Sequence, residues 1–420
     1  MREMKDSGVQ WIGEIPIEWA IDNPKYHFTQ RKDRAKQGMV QLTASQKYGV
    51  ITQTEYMEKT GANIVTVQKD FDILKLVCAG DFVIHMRSFQ GGLEYSEKTG
   101  SISSAYVMLI PHNTIREPRY YKWFFKSSNY IDALSSTSNL VRDGQAMRWA
   151  NFIQLPIPFP PADEQQRIAD FLDAKCAEID ALTADIQAQI DTLEQYKRSV
   201  ITETVTKGLN PNAEMKDSGI QWIGDMPAHW NVIRGKYILH YMQKPVREDD
   251  GVITCFRDGE VTLRSNRRED GFTMSDKEIG YQGIDVGDLV VHGMDGFAGS
   301  IGISDSRGKA SPVLNVLDTD QCKRYIMYYL RSMAYSDVFL ALATGIRVRS
   351  CDLRWNKLAE LSYPVPPLDE QNAIVKHIDS VLSKADAVIA DKKAQLATLD
   401  EYKKSLIFEY VTGKKEVPAS

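Results

Sequence analysis

Met4-Lys5-Asp6-Ser7-Gly8-Val9-Gln10-Trp11-Ile12-Gly13 returns in the second half of the chain as Met215-Lys216-Asp217-Ser218-Gly219-Ile220-Gln221-Trp222-Ile223-Gly224. Pro16 and Trp19 are answered by Pro227 and Trp230. A second echo closes each half: Pro158-Phe159-Pro160-Pro161 before Asp163-Glu164-Gln165 matches Pro364-Val365-Pro366-Pro367 before Asp369-Glu370-Gln371. Further on, Glu194-Gln195-Tyr196-Lys197-Arg198-Ser199 matches Asp400-Glu401-Tyr402-Lys403-Lys404-Ser405. A period of roughly 210 residues is far longer than a solenoid unit. It marks a duplicated domain whose frame stayed constant while the sequence between the echoes diverged.

Each half holds a mixed region followed by one long helix. Phe71 to Cys78, Phe82-Val83-Ile84 and Leu289-Val290-Val291 are apolar runs bounded by Gly and Asp, which predicts strands. Tyr120 to Phe125 and Tyr325 to Tyr335 read as helices. After Pro160-Pro161, acidic residues occupy a helix start, where the macrodipole favours them. Leu172, Ile179, Ile186, Leu193 and Val200 then recur every seven residues, with Leu182 and Tyr196 expected in the complementary heptad position and Ile190 beside them. Leu382, Ile389 and Leu396 form the second series, flanked by Val381, Val388 and Tyr402, with Ala385, Leu399 and Leu406 beside it. Stripes of this length predict a coiled-coil seam. Two such helices in one chain favour intramolecular antiparallel pairing, with a pseudo-twofold relation between the halves. The expected fold is α+β: two tandem mixed α/β domains separated by two long helices that pair as an antiparallel coiled coil.

Bulk properties narrow the class. The 420 residues suffice for several cores, and 43% hydrophobic with 25% charged residues is ordinary for a globular chain. No apolar run approaches the roughly 20 residues that cross a bilayer, and Met1-Arg2-Glu3-Met4-Lys5-Asp6 lacks the apolar stretch expected of a signal peptide. Cys78, Cys176, Cys255, Cys322 and Cys351 are scattered, which argues for a reducing cytoplasm and against a disulfide framework or structural zinc. The net charge of −5 hides a local imbalance. Asp22 to Arg148 carries 17 Lys/Arg against 12 Asp/Glu, whereas Asp163 to Glu203 carries 4 against 10. Arg234 to Glu360 balances at 18 against 18, so its basic clusters matter more than its sum.

The two copies of M-K-D-S-G-[VI]-Q-W-I-G-x-[IM]-P-x-x-W and of P-x-P-P-x-[DE]-E-Q, each with a helix ending in [DE]-x-Y-[KR]-[KR]-S, resemble type I restriction–modification specificity subunits. The resemblance covers the whole chain. It implies target-recognition domains over 1–160 and 209–366, with spacer helices over 161–208 and 367–420, the latter including the C-terminal tail. It implies double-stranded DNA with a bipartite site as ligand, each domain reading one half and the helices setting the gap. It further implies two modification (adenine methyltransferase) subunits and, in the full complex, restriction subunits as partners. S-adenosylmethionine, ATP and Mg²⁺ are then expected on those partners and no cofactor on this chain.

Motifs for catalysis are missing. Asn23-Pro24-Lys25-Tyr26 has Lys where the amino-methyltransferase tetrapeptide N-P-P-Y needs proline, and reads as a turn. Gly302 to Gly308-Lys309 has the wrong spacing for a P-loop and Ala310 replaces the hydroxyl that holds Mg²⁺, so a hairpin loop is expected. Glu3-x-Lys5 and Glu214-x-Lys216 lack the upstream Pro-Asp of a common nuclease. His85 and His292 follow equivalent strands without further metal ligands at suitable spacing, so a structural or DNA-facing role is expected. The competing function, a self-sufficient single-chain methyltransferase or nuclease with duplicated domains, therefore lacks its motifs.

Basic clusters beside turn residues are the candidate DNA contacts, because Lys and Arg bind phosphate while Arg, Gln and Asn read base edges. In the first half these are Arg31, Lys32, Arg34 and Lys36, then Arg87, Ser88 and Gln90, then Arg142 and Gln145. In the second they are Arg264, Asn266, Arg267 and Arg268, then Arg347 and Arg349. Gly91-Gly92 and Gly293, Gly296, Gly299 and Gly302 are expected to let backbone approach a ligand. Arg148-Trp149 and Arg354-Trp355 stand at matching places in both halves. There Trp is expected to pack a helix base, and Arg to hold phosphate or the frame.

Overall fold

The computed structural model describes residues 2–64, 73–137, 147–267, 279–342 and 353–418. The chain divides into two compact units, Met1–Ile186 with Ala394–Ser420, and Gln187–Lys393. In the first unit four antiparallel strands lie in the order Phe28–Arg31, Val107–Pro111, Phe82–Ile84, Glu94–Tyr95. The second unit repeats that order with His240–Tyr241, Leu314–Asp318, Leu289–His292 and Ile301–Ile303.

Successive side chains of a strand face opposite sides. Phe82, Ile84 and Leu109 therefore enter an aromatic core, while Val83 and Met108 join a smaller cluster with Leu42, Val50, Val77 and Ile102. In the second unit Leu289, Val291 and Leu317 face one cluster and Val290 and Val316 the other. Burial on both sides is why these strands read as unbroken apolar runs. In the first core Phe28 meets Phe152 and Phe82 meets Phe125 edge-on, each with ring centroids 5.3 Å apart, a favoured aromatic geometry. The stretch from Gly302 is not a hairpin: it leaves Ile301–Ile303 for Gly308–Ala310, which pairs with Gln282–Ile284 in a separate ribbon.

The repeated opening motif is a ribbon closed by one turn. Met4–Asp6 pairs with Glu14–Pro16, and Met215–Asp217 with Asp225–Pro227. Asp6 accepts the Gly8 N–H and Ser7 Oγ the Val9 N–H; Asp217 and Ser218 do the same for Gly219 and Ile220. Gly8 (φ 70°) and Gly219 (φ 69°) take the left-handed conformation this turn needs.

The first long helix is Ala162–Lys207 and the second Leu368–Val411. The Gln of each Asp-Glu-Gln locks the helix start to its domain. Gln165 Nε2 donates to Pro160 O (2.8 Å) and its Oε1 accepts from Glu117 N, while Gln371 binds Pro366 O (2.9 Å) and Cys322 N. Helix ends leave carbonyls unpaired. Buried tyrosines satisfy them: Tyr120 donates to Val411 O (2.7 Å) and Tyr325 to Val205 O (3.1 Å).

Within each unit the helix segments run antiparallel. In the first, Asp180 meets Lys403 at 2.5 Å and Phe171 lies on Tyr410 with ring centroids 4.5 Å apart. In the second, Lys197 meets Asp386 at 2.6 Å and Lys392 binds Gln189. Leu172, Cys176, Ile179, Ile186 and Ile190 are buried, as are Ala385, Ile389 and Leu406. The complementary position differs from the sequence expectation. Leu182 (46% exposed), Tyr196 (51%), Val388 (45%) and Tyr402 (54%) lie outside the seam. In the first helix the contact falls four residues after the main series, as in Leu172 to Cys176 and Ile186 to Ile190, rather than three; in the second the stripe of Ala385, Leu399 and Leu406 lies on the buried side as expected.

Candidate nucleic-acid interface

The sheet gathers several predicted contacts at one end. Arg31 and Val83 flank Met108 in register, so the segment after Arg31 and the turn after Ile84 leave the same side. Lys32, Arg34 and Lys36 are exposed there, with Arg34 donating to Ile73 O at 2.9 Å. Arg87 and Gln90 are exposed at a one-turn helix, Ser88–Gly91. Two neighbours are corrected. Arg31 spends its guanidinium on both oxygens of Asp81 (2.7 and 2.9 Å) and on Asp33, and the Asp81 bonds raise its pKa. Ser88 is buried, its Oγ accepting the His85 N–H at 2.9 Å. Both are parts of the frame.

Each histidine braces its own turn, and His292 also lines the cleft of the second domain. His85 is buried, with Nε2 3.5 Å from Glu94, and its Nδ1 accepts the Arg87 N–H. His292 Nδ1 accepts from Met294 N (3.2 Å) and Asp295 N (3.0 Å), and burial lowers its pKa. The loop glycines face protein rather than an open ligand site. A Cβ on Gly92 would sit 1.9 Å from Phe125 O, on Gly296 2.7 Å from Leu353 Cδ1, and on Gly302 1.9 Å from Gly259 O. Their missing side chains admit neighbouring segments.

The second domain presents a different surface. A cleft of about 580 Å³ is lined by Thr254, Phe256, Arg257, Arg264, Arg267 and Ser300 among others. Arg264 Nε donates to Thr254 Oγ1 (3.1 Å), and Asn266 Nδ2 to Thr262 Oγ1 (2.8 Å). Arg267 lies 4.1 Å from the Phe256 ring centroid and is held by Asp258 (2.7 Å) and Glu260 (3.1 Å). Arg142, Gln145, Arg268, Arg347 and Arg349 lie outside the described residues.

Exposed Arg148 and Arg354 each open a short helix, Trp149–Phe152 and Trp355–Glu360. Trp149 packs on Phe152 (5.7 Å) and Trp355 stacks on Tyr241 (5.9 Å). Beside these helices lie two residues that basic-cluster reasoning passed over, Lys25 and Lys236, each over a neighbouring tyrosine ring. Their signal was a K-Y pair at matching places in both halves. Among the described residues no group of three or more His, Cys, Asp or Glu is placed to hold a metal, and no helix is long and apolar enough to cross a membrane.

One frame is built twice, with divergent basic and polar surfaces on the two copies. Residues 24–192 match the protein family described as Type I restriction modification DNA specificity domain. The chain is 23% identical, over 97% of its length and 96% of the relative's, to the MjaX type I specificity subunit assigned in Methanocaldococcus jannaschii. It is 21% identical to the StySPI specificity subunit of Salmonella potsdam, over 82% and 74% of the two chains. A solved chain from a study of assembly and conformational transition of the type I R-M system has the same fold, at TM-score 0.65 and 14% identity, covering 96% of this chain and 99% of that one. By these matches the chain is similar to type I restriction–modification specificity subunits, the family that its repeated motifs resemble.

Proposed function

We infer that this chain is the sequence-specific DNA-recognition subunit of a type I restriction–modification complex, each domain reading one half of a bipartite site. It is a non-catalytic specificity subunit. The observation that carries the reading is the contrast within each domain. The turn of the opening motif, the Gln lock and the tyrosine cap repeat residue for residue, while the sheet ends differ. Lys32, Arg34, Lys36 and Arg87 stand exposed in the first, and an arginine-lined cleft opens in the second. Methylome mapping of cells carrying the system tests it, with a methylated split sequence as the expected result. Methyl transfer from S-adenosylmethionine by the purified chain alone would favour the single-chain enzyme instead.

DNA, methyltransferase and restriction subunits are its partners. We assign it two methyltransferase subunits, and this rests on the exposed apolar residues Leu182 and Tyr196 of the first helix and Val388 and Tyr402 of the second. Leu182 and Val388 hold matching positions in the two helices, as do Tyr196 and Tyr402, so one partner surface fits twice. S-adenosylmethionine, ATP and Mg²⁺ belong on the partners, and the assembly works in the cytoplasm. The helices set the gap between half-sites. One heptad added to each keeps the seam and adds about 10 Å, or about 3 bp. A gap-randomised DNA library should then show a longer preferred gap with both half-sites unchanged.

A further inference from the structure

Pro24–Tyr26 and Gly235–Tyr237 are single 3₁₀ turns at matching places in the two domains. Each joins a strand of the helix-base ribbon to the first strand of the four-stranded sheet. The two turns are fixed by different means. Asn23 caps the first through Lys25 N (3.0 Å) and ties it to Ile153 O (2.9 Å). In the second, Gly235 N donates to Leu361 O (2.8 Å), and a Cβ on Gly235 would lie 2.3 Å from Leu358 O. What stays the same is the outward-facing pair. Tyr26 is 60% exposed and Tyr237 72%, with the Lys25 and Lys236 ammonium groups 4.7 and 5.5 Å from the ring centroids.

A buried residue kept in both copies is explained by packing, but an exposed Lys-Tyr pair is not. Its common task must involve something that both domains meet in the same form. The two half-sites differ in bases and share only the sugar–phosphate backbone. A lysine ammonium and a tyrosine hydroxyl are both donors of the kind that contact phosphate oxygens and fix register without reading sequence. The ring face holds the ammonium in place before binding, which reduces the ordering cost. Lysine is depleted at protein–protein interface cores, which favours phosphate over a partner subunit as the occupant.

We propose that Lys25-Tyr26 and Lys236-Tyr237 are paired DNA-backbone clamps, one per half-site, that position each domain without contributing to base choice. The proposal rests on the DNA-recognition reading above. Glu360 sits 3.2 Å from Lys236 and also binds Arg234 at 2.7 Å, so the second clamp is electrostatically weaker.

The test is DNA binding by the assembled modification complex against salt concentration. Wild type is compared with Lys25→Gln, Lys236→Gln, the double variant, and Tyr26→Phe with Tyr237→Phe. Each lysine that neutralises a phosphate contributes about 0.9 to the slope of log K against log salt. The double variant should lower that slope by roughly 2, weaken cognate and non-cognate DNA alike, and leave their ratio unchanged. Lys25→Gln should have the larger effect. An unchanged slope, or a changed cognate preference, overturns the clamp. Failure of the variants to retain the methyltransferase subunits at wild-type yield assigns the surface to the partner and overturns it too. Wild-type complex without sequence preference would instead overturn the recognition reading itself.

Discussion

In the first unit Trp19 donates its indole N–H to Glu164 at 2.8 Å, and Arg2 grips the same carboxylate. In the second, Trp230 is just as buried, yet its indole nitrogen has no hydrogen-bond partner among the described residues. Glu370 turns to His229 at 2.8 Å, and Ala213 stands where the first copy has Arg2. The same apolar anchor is thus kept with two different polar settings. A buried donor left unpaired costs about 1–3 kcal/mol, which the second copy bears. Packing of the tryptophan against the helix base fixes this frame, and its polar partners are adjustable.

If the frame is common and the surfaces are independent, exchanging one surface should leave the other half-site alone. Replacing residues 20–155 with the corresponding region of a relative is expected to change one half of the methylated sequence completely. Methylome sequencing reads both halves at once, and a change in both would show that the domains are coupled.

The tryptophan contrast sharpens through Glu164→Ala and Glu370→Ala. The first strands a buried indole N–H and leaves Arg2 with Glu18 as its main partner, at an expected cost of about 1–3 kcal/mol. The second removes a partly exposed pair with His229, worth about 0.2–1 kcal/mol. Hydrogen exchange resolved by segment separates the two units during denaturant unfolding. Equal losses would mean that the polar setting does not distinguish the copies.

What was legible in the sequence follows the range of the interactions. The turn of the opening motif is local, and Asp-Ser-Gly states its chemistry outright. The buried strands declared themselves as apolar runs. The seam was misread at Leu182 and Tyr196 because an apolar residue three or four positions after Ile179 fits a helix face equally well, and only the partner helix decides. Ser88, Arg31 and the loop glycines misled for a related reason. Their partners, the His85 amide, Asp81 and the Phe125 carbonyl, are set by the tertiary fold, and a polar or small residue in a loop looks available until those partners are placed. Gln165 and Gln371 carried a visible signal, repetition in both halves, without a visible target.

Arg87 and Arg267 compare an open side chain with an engaged one. Arg87→Ala should cost about 1–3 kcal/mol of binding and relax one base position in one half-site. Arg267→Ala should cost less and leave specificity intact, because Asp258, Glu260 and the Phe256 face already hold that guanidinium. Competition binding of the complex to single-base variants of the site measures both. No effect from either would remove these loops from the interface.

The smallest expected difference lies between the two histidine turns. His292 Nδ1 accepts two backbone N–H groups, from Met294 and Asp295, and needs a free lone pair to do so. His85 Nδ1 accepts one, from Arg87 at 3.3 Å. Burial is the main cause that lowers the His292 pKa from 6.5. The unfolded chain therefore takes up a proton more readily than the folded one. The turn's stabilisation is complete above about pH 6.5 and is lost as pH falls through the lower folded value. Protonation turns Nδ1 into a donor facing two other donors, so the amides of Met294 and Asp295 should exchange faster relative to their intrinsic rates as pH drops across roughly 8 to 5. His292→Asn, whose side-chain oxygen accepts without titrating, should flatten that dependence. A profile in wild type that matches the Asn variant would show that the turn does not depend on the neutral ring.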